Sequence, residues 1–269
     1  MEILIPLLLG IGLVSLLFDN DDQEDDPKQE VQRNGTDADD VMTGTSADEV
    51  FFAKAGDDVI IPDDGNDRVF AGDGNDYIDA NILAPDGNWY QSEGDKLLRG
   101  GNGHDIIIGG AGDDTLYGDL GADYLSGQFG KDTLYGGFGQ DVLDTYDANE
   151  AEADRGGDSL FGGHGSDLIF LDPGDFVESG EGNDLLLMTD DVTESALSHG
   201  PALVNDYTPG EDLYYIEPSW ASLDSAPSFS AVSGSGGTDI QVDGITVFHL
   251  IGIDPNDVDL NDFDGDYIT

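Results

Sequence analysis

Apolar residues recur every nine positions over most of this chain. Counting from Gly35, the units read "GTDADDVMT" and "GTSADEVFF", and the pattern is densest in "GGNGHDIII" and "GGAGDDTLY". The sixth position is acidic in almost every unit, and the eighth position is apolar. Nine residues suffice for one tight turn and one short strand, whose middle side chain points inward. The period therefore predicts an all-β solenoid in which two units complete each turn.

The glycines and acids of each unit have predictable places in such a solenoid. Glycines at positions one, two and four permit tight turns with positive φ. Successive turns of a sheet lie about 4.8 Å apart, so residues that are eighteen positions apart line one edge. Asp105, Asp123 and Asp141 are predicted on one edge, and Asp114 and Asp132 on the other.

Acids this close together need a cation between them, because stacked carboxylates cannot all ionise stably alone. Carboxylates and backbone carbonyls form an all-oxygen shell that suits calcium better than magnesium. The predicted calcium ligands are the sixth-position aspartates Asp40, Asp58, Asp67, Asp76, Asp105, Asp114, Asp123, Asp132, Asp141, Asp158, Asp167 and Asp184. With 59 acidic and 8 basic side chains, the formal charge is -51, which disfavours nucleic acid and anionic membranes as partners. The sequence has no cysteine and therefore no disulfide.

The units "GGNGHDIII", "GGAGDDTLY", "GGFGQDVLD" and "GGHGSDLIF" resemble the GGxGxDxUx nonapeptide of RTX, or hemolysin-type calcium-binding, repeats. The resemblance covers about residues 34–187. It implies a right-handed parallel β-roll with several calcium ions between successive loops, and secretion or surface display. The stretches "YTPGEDLYYIE" and "GITVFHLIG" look similar, more loosely, to C-terminal regions of small RTX proteins.

Some units depart from this pattern. Lys96 stands at a sixth position, where its ammonium is expected to weaken or abolish one site. Glu49 is a longer acid in a unit without the fourth-position glycine. In "LDPGDFVES", Phe176 occupies the sixth position and the register slips by one. The first five units have few glycines at positions one and two, which puts their calcium affinity in doubt.

The remaining segments differ in composition. Residues 1–18 contain the apolar run 3–18, which is expected to form a helix that serves as an uncleaved membrane anchor or a cleaved export signal. Residues 19–33 are predicted to be an acidic, disordered linker. The roll is expected over 34–187, with insertions at 80–90 and 145–152, and a small β-rich cap over 188–269. The cap contains a predicted hairpin around Asp243-Gly244.

No catalytic signature accompanies the repeats, since neither HExxH nor GxSxG occurs. The tail aromatics are expected to form the core of the cap rather than a ligand patch. We therefore expect a non-enzymatic extracellular or surface protein that folds on binding calcium, with a structural or adhesive role. Cell-surface glycans or envelope components are the candidate partners. The alternative is an RTX-linked secreted hydrolase or effector with an unrecognised C-terminal active site.

Overall fold

The computed structural model describes residues 31–83, 89–90, 92–145, 157–188, 199–216, 229–242 and 244–263. The predicted N-terminal helix, residues 1–18, lies outside these ranges, as does the linker up to residue 30. Residues 31–33, which were predicted to belong to the disordered linker, instead form part of a paired strand, Val31–Asn34. Among the described residues, no helix is long and apolar enough to cross a membrane.

The described strands form two large sheets, which are parallel over the repeats, and one small hairpin. The first sheet contains, in spatial order, β1 (Val31–Asn34), β3 (Glu49–Ala55), β5 (Arg68–Asp73), β9 (Leu97–Asn102), β11 (Thr115–Leu120), β13 (Thr133–Phe138), β15 (Ser159–His164), β17 (Phe176–Glu181), β19 (Ala202–Val204), β23 (Ile245–Ile251), β22 (Gly237–Val242) and β21 (Phe229–Gly234). The second sheet contains β2 (Val41–Thr43), β4 (Val59–Ile61), β6 (Tyr77–Asp79), β10 (Ile106–Ala111), β12 (Tyr124–Phe129), β14 (Val142–Asp144), β16 (Leu168–Phe170), β18 (Leu185–Met188) and β20 (Leu213–Ile216). The hairpin pairs β7 (Ile82–Leu83) with β8 (Trp89–Tyr90), and two 3₁₀ helices, Pro255–Asp257 and Leu260–Asp262, follow β23.

Consecutive repeats alternate between the two sheets, as the nine-residue period predicts. Leu116 pairs with Leu98 on one side and with Leu134 on the other, so strands eighteen residues apart are neighbours. The pairing is parallel throughout β1–β20, except in the β7–β8 hairpin. The predicted parallel β-roll is confirmed.

The core of the roll is one side chain deep on each sheet. The eighth-position side chains are fully buried from Phe51 onward, whereas the seventh and ninth positions are mostly half-exposed. The core includes the eighth-position side chains Phe51, Ile60, Val69, Ile78, Leu98, Ile107, Leu116, Leu125, Leu134, Leu143, Leu160, Ile169, Val177 and Leu186. So thin a core buries little apolar surface for each residue, and other interactions must stabilise the loops.

The two edges of the roll differ in loop length. At the first edge, where the chain passes from the first sheet into the second, the connections from 56–58 to 182–184 each have three residues. At the second edge, where the chain returns to the first sheet, it makes long excursions after β6, β14, β18 and β20. The longest connections, those after β6, β14, β18 and β20, therefore all lie at the second edge, although residues 35–40 and 205–212 at the first edge also exceed three residues.

The C-terminal end of the roll is closed by an antiparallel hairpin and an aromatic cluster. Strands β22 and β23 pair antiparallel as predicted, and β23 adds in parallel to β19. Tyr207, Tyr214, Phe248 and Phe263 are buried together, with the Tyr214 and Phe263 rings stacked 4.6 Å apart. The hairpin covers the open edge that a solenoid otherwise exposes.

Candidate metal centre

The sixth-position residues form two continuous rows, one along each edge. Each lies where a loop enters the sheet: Glu49 is the first residue of β3, and the others directly precede their strands. The first edge carries Asp40, Asp58, Asp76, Asp105, Asp123, Asp141, Asp167, Asp184 and Asp212, and the second edge carries Glu49, Asp67, Lys96, Asp114, Asp132, Asp158 and Asp175. All twelve predicted ligands lie in these rows, and eleven of them are buried, with Asp40 half-buried. Their role as calcium ligands remains a prediction.

Hydrogen bonds connect each row from turn to turn. The backbone N–H of one acid donates to Oδ1 of the acid in the next turn, as from Asp105 to Asp123 at 2.8 Å and from Asp123 to Asp141 at 2.9 Å. On the second edge, the N–H of Asp114 donates to Asp132 and that of Asp132 to Asp158. These bonds fix the orientation of each carboxylate and leave its second oxygen to be satisfied otherwise.

That second oxygen has no hydrogen-bond partner in most turns. Among the described residues, the buried unpartnered Oδ2 atoms include those of Asp58, Asp67, Asp76, Asp105, Asp114, Asp123, Asp141, Asp167 and Asp184. Several of them lie against the Cα of the position-one glycine. A Cβ on Gly118 would come within 2.6 Å of Asp123 Oδ2, and a Cβ on Gly136 within 2.7 Å of Asp141 Oδ2. Buried polar atoms are rarely left unpaired, so a repeated row of unpartnered carboxylate oxygens fits a cation bound between the loops.

The electrostatics of the rows favour a cation. Burial raises the pKa of Asp105, Asp114 and Asp167 to about 7, against the partial lowering by their backbone hydrogen bonds. Burial likewise raises the pKa of Asp76 and Asp141 to about 6, with neighbouring aspartates adding to the effect. A buried carboxyl in this state either holds a proton or binds a cation that stabilises the charge.

The donor set fits calcium. No group of three or more His, Cys, Asp or Glu side chains converges on one point in the described residues, so side chains alone do not supply a complete shell. Backbone carbonyls must contribute, and the loops bring them close together. A Cβ on Gly112, at position four, would lie only 2.6 Å from the carbonyl oxygen of Gly94 in the preceding turn. Aspartate oxygens combined with carbonyl oxygens form the hard, flexible shell that calcium prefers. A calcium ion between the loops would be the positively charged partner that the Oδ2 atoms lack.

Two acids at the N-terminal end are satisfied by protein donors instead. Asp40 Oδ2 accepts hydrogen bonds from the backbone N–H of Thr36 at 2.6 Å and from its hydroxyl at 2.9 Å. Glu49 is buried, and its carboxylate accepts from Arg33 at 2.5 Å and from the N–H of Thr45 at 2.8 Å. The predicted ligand Asp40 therefore lacks the unpartnered oxygen that marks the inner turns.

Lys96 interrupts the second row, as the sequence indicates. Its side chain is 2% exposed, and its Nζ donates to the carbonyl oxygen of Gly94 at 3.0 Å. Burial lowers the pKa of Lys96, while Asp114 and Asp67 oppose that shift. The ammonium thus lies between two acids of the row and bonds a loop carbonyl, as a metal ion would do.

Asp175 and Asp212 occupy sixth positions that the nine-residue count missed. Phe176 was assigned to the sixth position, but it pairs with Ser159 and is the seventh residue of its unit. The loop before it is one residue short, and Asp175 Oδ1 accepts from the N–H of Asp158 at 3.1 Å. Asp212, in "YTPGEDLYY", accepts from the N–H of Asp184 at 3.3 Å. Its G-x-D-x-aromatic spacing is a signal that the sequence does contain.

The fifth positions form a further row of hydrogen bonds on the exposed side of the loops. The N–H of Asn75 donates to Asp57 Oδ1, and the N–H of His104 donates to Asn75 Oδ1. The N–H of Ala122 then donates to Nδ1 of His104 at 2.8 Å. This row runs opposite to the sixth-position row, and it gives the variable loop residues, including His104, a structural role.

Together these features define a parallel β-roll with carboxylate rows along both edges, which is the architecture of a calcium-dependent repeat protein. The family model of the RTX calcium-binding nonapeptide repeat (four copies) matches residues 34–65, 43–78, 92–125, 112–143, 145–175 and 152–186. These matches cover just over half of the 269 residues. The chain belongs to the RTX calcium-binding repeat family, and its repeats form a calcium-binding β-roll of a kind typical of secreted proteins.

Among solved structures, the extracellular lipase LipA from Serratia marcescens is similar to this chain at 14% identity, with a TM-score of 0.25. The match covers 88% of this chain and 40% of the lipase chain, so the chain spans less than half the length of that protein. A search of curated proteins gives no match.

Proposed function

We propose that this chain is an extracytoplasmic protein whose repeats fold into a rigid roll on binding several calcium ions, and that the roll serves a non-catalytic structural or adhesive role at a cell surface. The observation that carries the proposal is a set of buried aspartates whose Oδ1 accepts from a backbone N–H of the preceding turn and whose Oδ2 has no hydrogen-bond partner: Asp58, Asp67, Asp76, Asp105, Asp114, Asp123, Asp141, Asp167 and Asp184.

The mechanism follows from charge. With a formal charge of -51, the metal-free chain repels itself, and the thin apolar core opposes that repulsion only weakly. Where free calcium is scarce, the repeats stay unfolded. Where calcium reaches about 0.1–1 mM, the range for extracellular modules, binding and folding occur together.

The folding step can be tested by circular dichroism of the full chain, titrated with calcium and then with EDTA. We expect a gain of β signal with calcium and its loss with EDTA. A matched pair of variants locates the effect. Asp123→Asn removes one buried sixth-position charge and is expected to weaken the calcium response, while Asp113→Asn removes an exposed fifth-position charge and is expected to leave it nearly unchanged. An unchanged spectrum of the wild-type chain on adding calcium would overturn the proposal.

The surface role requires a separate assay. The calcium-loaded chain is incubated with isolated cell envelopes and with extracellular glycans, and the bound fraction is compared with that in EDTA. Calcium-dependent retention supports adhesion. Turnover in a panel of hydrolase substrates would instead favour the secreted-enzyme alternative.

A further inference from the structure

The sixth-position carboxylates exist in two arrangements, and the residue at position two of the same unit separates them. In four turns the position-two backbone N–H donates to the outer carboxylate oxygen. These bonds run from Thr36 to Asp40 at 2.6 Å, from Thr45 to Glu49 at 2.8 Å, from Asp172 to Asp175 at 2.8 Å and from Thr208 to Asp212 at 3.1 Å. We call these closed turns, because the outer oxygen already has a donor from the protein.

In the other arrangement, position two is left-handed. The backbone φ is positive at glycines such as Gly72, Gly101 and Gly137, and also at the non-glycine residues Lys54, Asp63, Asp119 and Gln128. The sixth-position aspartate lies four residues after position two. In the units of Gly72, Gly101, Gly137, Lys54, Asp63 and Asp119, that aspartate is buried and its Oδ2 has no hydrogen-bond partner. We call these open turns. A change of φ from negative to positive rotates the peptide plane that carries the position-two N–H. In an open turn this N–H therefore points away from Oδ2 of the sixth-position aspartate.

We propose that the backbone conformation at position two determines which turns bind calcium: a left-handed residue leaves Oδ2 open to the ion, and a residue with ordinary φ closes the turn with its own N–H. This inference rests on the calcium-dependent folding proposed above and adds to it an assignment of individual turns. The inference predicts ions at the open turns of the first edge, which are those of Asp58, Asp76, Asp105, Asp123, Asp141, Asp167 and Asp184. On the second edge it predicts ions at open turns such as those of Asp67 and Asp114. It predicts no ion at the closed turns of Asp40, Glu49, Asp175 and Asp212.

The closed turns occupy the ends of both rows. Asp40 and Asp212 are the first and last acids of the first edge, and Glu49 and Asp175 are the first and last of the second edge. An ion between loops needs carbonyls and carboxylates from two neighbouring turns, and a terminal loop has such a neighbour on one side only. A closed turn satisfies the terminal acid without an ion.

Threonine and glycine at position two follow this division, whereas aspartate occurs in both arrangements. Threonine is β-branched and disfavours positive φ, whereas glycine adopts it freely and Asn and Asp tolerate it. Two of the closed turns add a threonine hydroxyl as a second donor, from Thr36 to Asp40 and from Thr45 to Glu49. The turn of Lys96 also lacks a left-handed residue at position two, where Ser92 stands, and its loop carbonyl is bonded by the lysine ammonium instead.

Two substitutions at Asp119 test the inference. Asp119→Asn and Asp119→Thr both remove one charge and the exposed ion pair with Arg99, but only Asn tolerates the φ of 72° found there. The number of bound calcium ions is counted by native mass spectrometry and by isothermal titration on the full chain. We expect Asp119→Asn to bind the wild-type number and Asp119→Thr to bind one fewer.

Circular dichroism in saturating calcium shows whether Asp119→Thr folds. If it does not fold, a second pair of substitutions, at Thr36, tests the inference instead. Thr36→Gly is expected to gain one ion at Asp40, and Thr36→Ser to keep the wild-type number. A wild-type chain that binds no calcium would refute the proposed function itself. A wild-type chain that binds calcium, with equal counts for Asp119→Thr and Asp119→Asn or for Thr36→Gly and Thr36→Ser, would overturn the assignment of turns alone.

Discussion

Stacking of the loops depends on glycine at position four, and Gly112 allows this dependence to be measured. Gly112 has a φ of 126°, and an added Cβ would meet Gly94 O at 2.6 Å, Gly94 C at 2.7 Å and Asp95 N at 3.2 Å. Ordinary Cβ contacts begin near 3.4 Å. Gly112→Ala therefore forces two adjacent backbones apart by several tenths of an ångström, and no flexible side chain can move to relieve the clash.

The expected cost has two parts. The left-handed backbone costs alanine about 1–2 kcal/mol, and the forced separation of packed turns costs about 1–3 kcal/mol. Gly236→Ala is the matched control, because Gly236 has a φ of 95° and nothing lies within 4 Å of its added Cβ. Gly236→Ala is expected to lose only the backbone contribution of about 1–2 kcal/mol in stability.

Thermal unfolding in saturating calcium compares the two variants. Since 1 kcal/mol shifts the Tm of a protein of this size by about 2–4 °C, Gly112→Ala is expected to melt several degrees below Gly236→Ala. Equal Tm losses would show that the approach of neighbouring turns is not what requires glycine at position four.

Three further predictions follow from the core, the carboxylates and the N-terminal end. Leu125→Ala deletes a fully buried side chain and is expected to cost about 2–5 kcal/mol in urea unfolding; a cost below 1 kcal/mol would contradict the one-layer core. In calcium-free buffer, the stability of the fold is expected to decrease as the pH rises from about 4 to 7. Burial raises the pKa of Asp105 and Asp167 to about 7 in the folded chain, whereas the unfolded chain loses these protons at lower pH. Circular dichroism should therefore show less folded protein at pH 8 than at pH 5. Arg33→Met leaves the buried Glu49 carboxylate without its ion pair, at an expected cost of about 1–3 kcal/mol, and hydrogen exchange should show the loss concentrated near the N-terminal turns.

The nine-residue period predicted the roll because both of its parts act locally. An inward apolar residue and an acid at a fixed distance before it repeat with every strand, so Leu116 and Asp114 could be placed by counting alone. Counting failed at Phe176, because the loop lost one residue while the strand kept its partners, and alignment with Ser159 restores the register only once the pairing is known.

Other parts of the site required backbone geometry. The sequence shows that Thr36 replaces a glycine, but the resulting N–H bond to Asp40 depends on φ and on the orientation of a peptide plane. The fifth-position row was missed for a different reason. Aspartate, asparagine and histidine all serve there as hydrogen-bond acceptors, so no single residue type repeats, although one interaction does.

The difference in connection length between the two edges has a consequence for how such a molecule can be enlarged. The longest connections all lie where the second sheet returns to the first, so segments can be lengthened there without changing the three-residue loops opposite. We expect a peptide tag placed between β7 and β8 to be accepted, and the same tag placed within residues 121–123 to prevent assembly. The second edge is thus free to acquire new recognition surfaces, while the first edge keeps the even spacing of its carboxylate row.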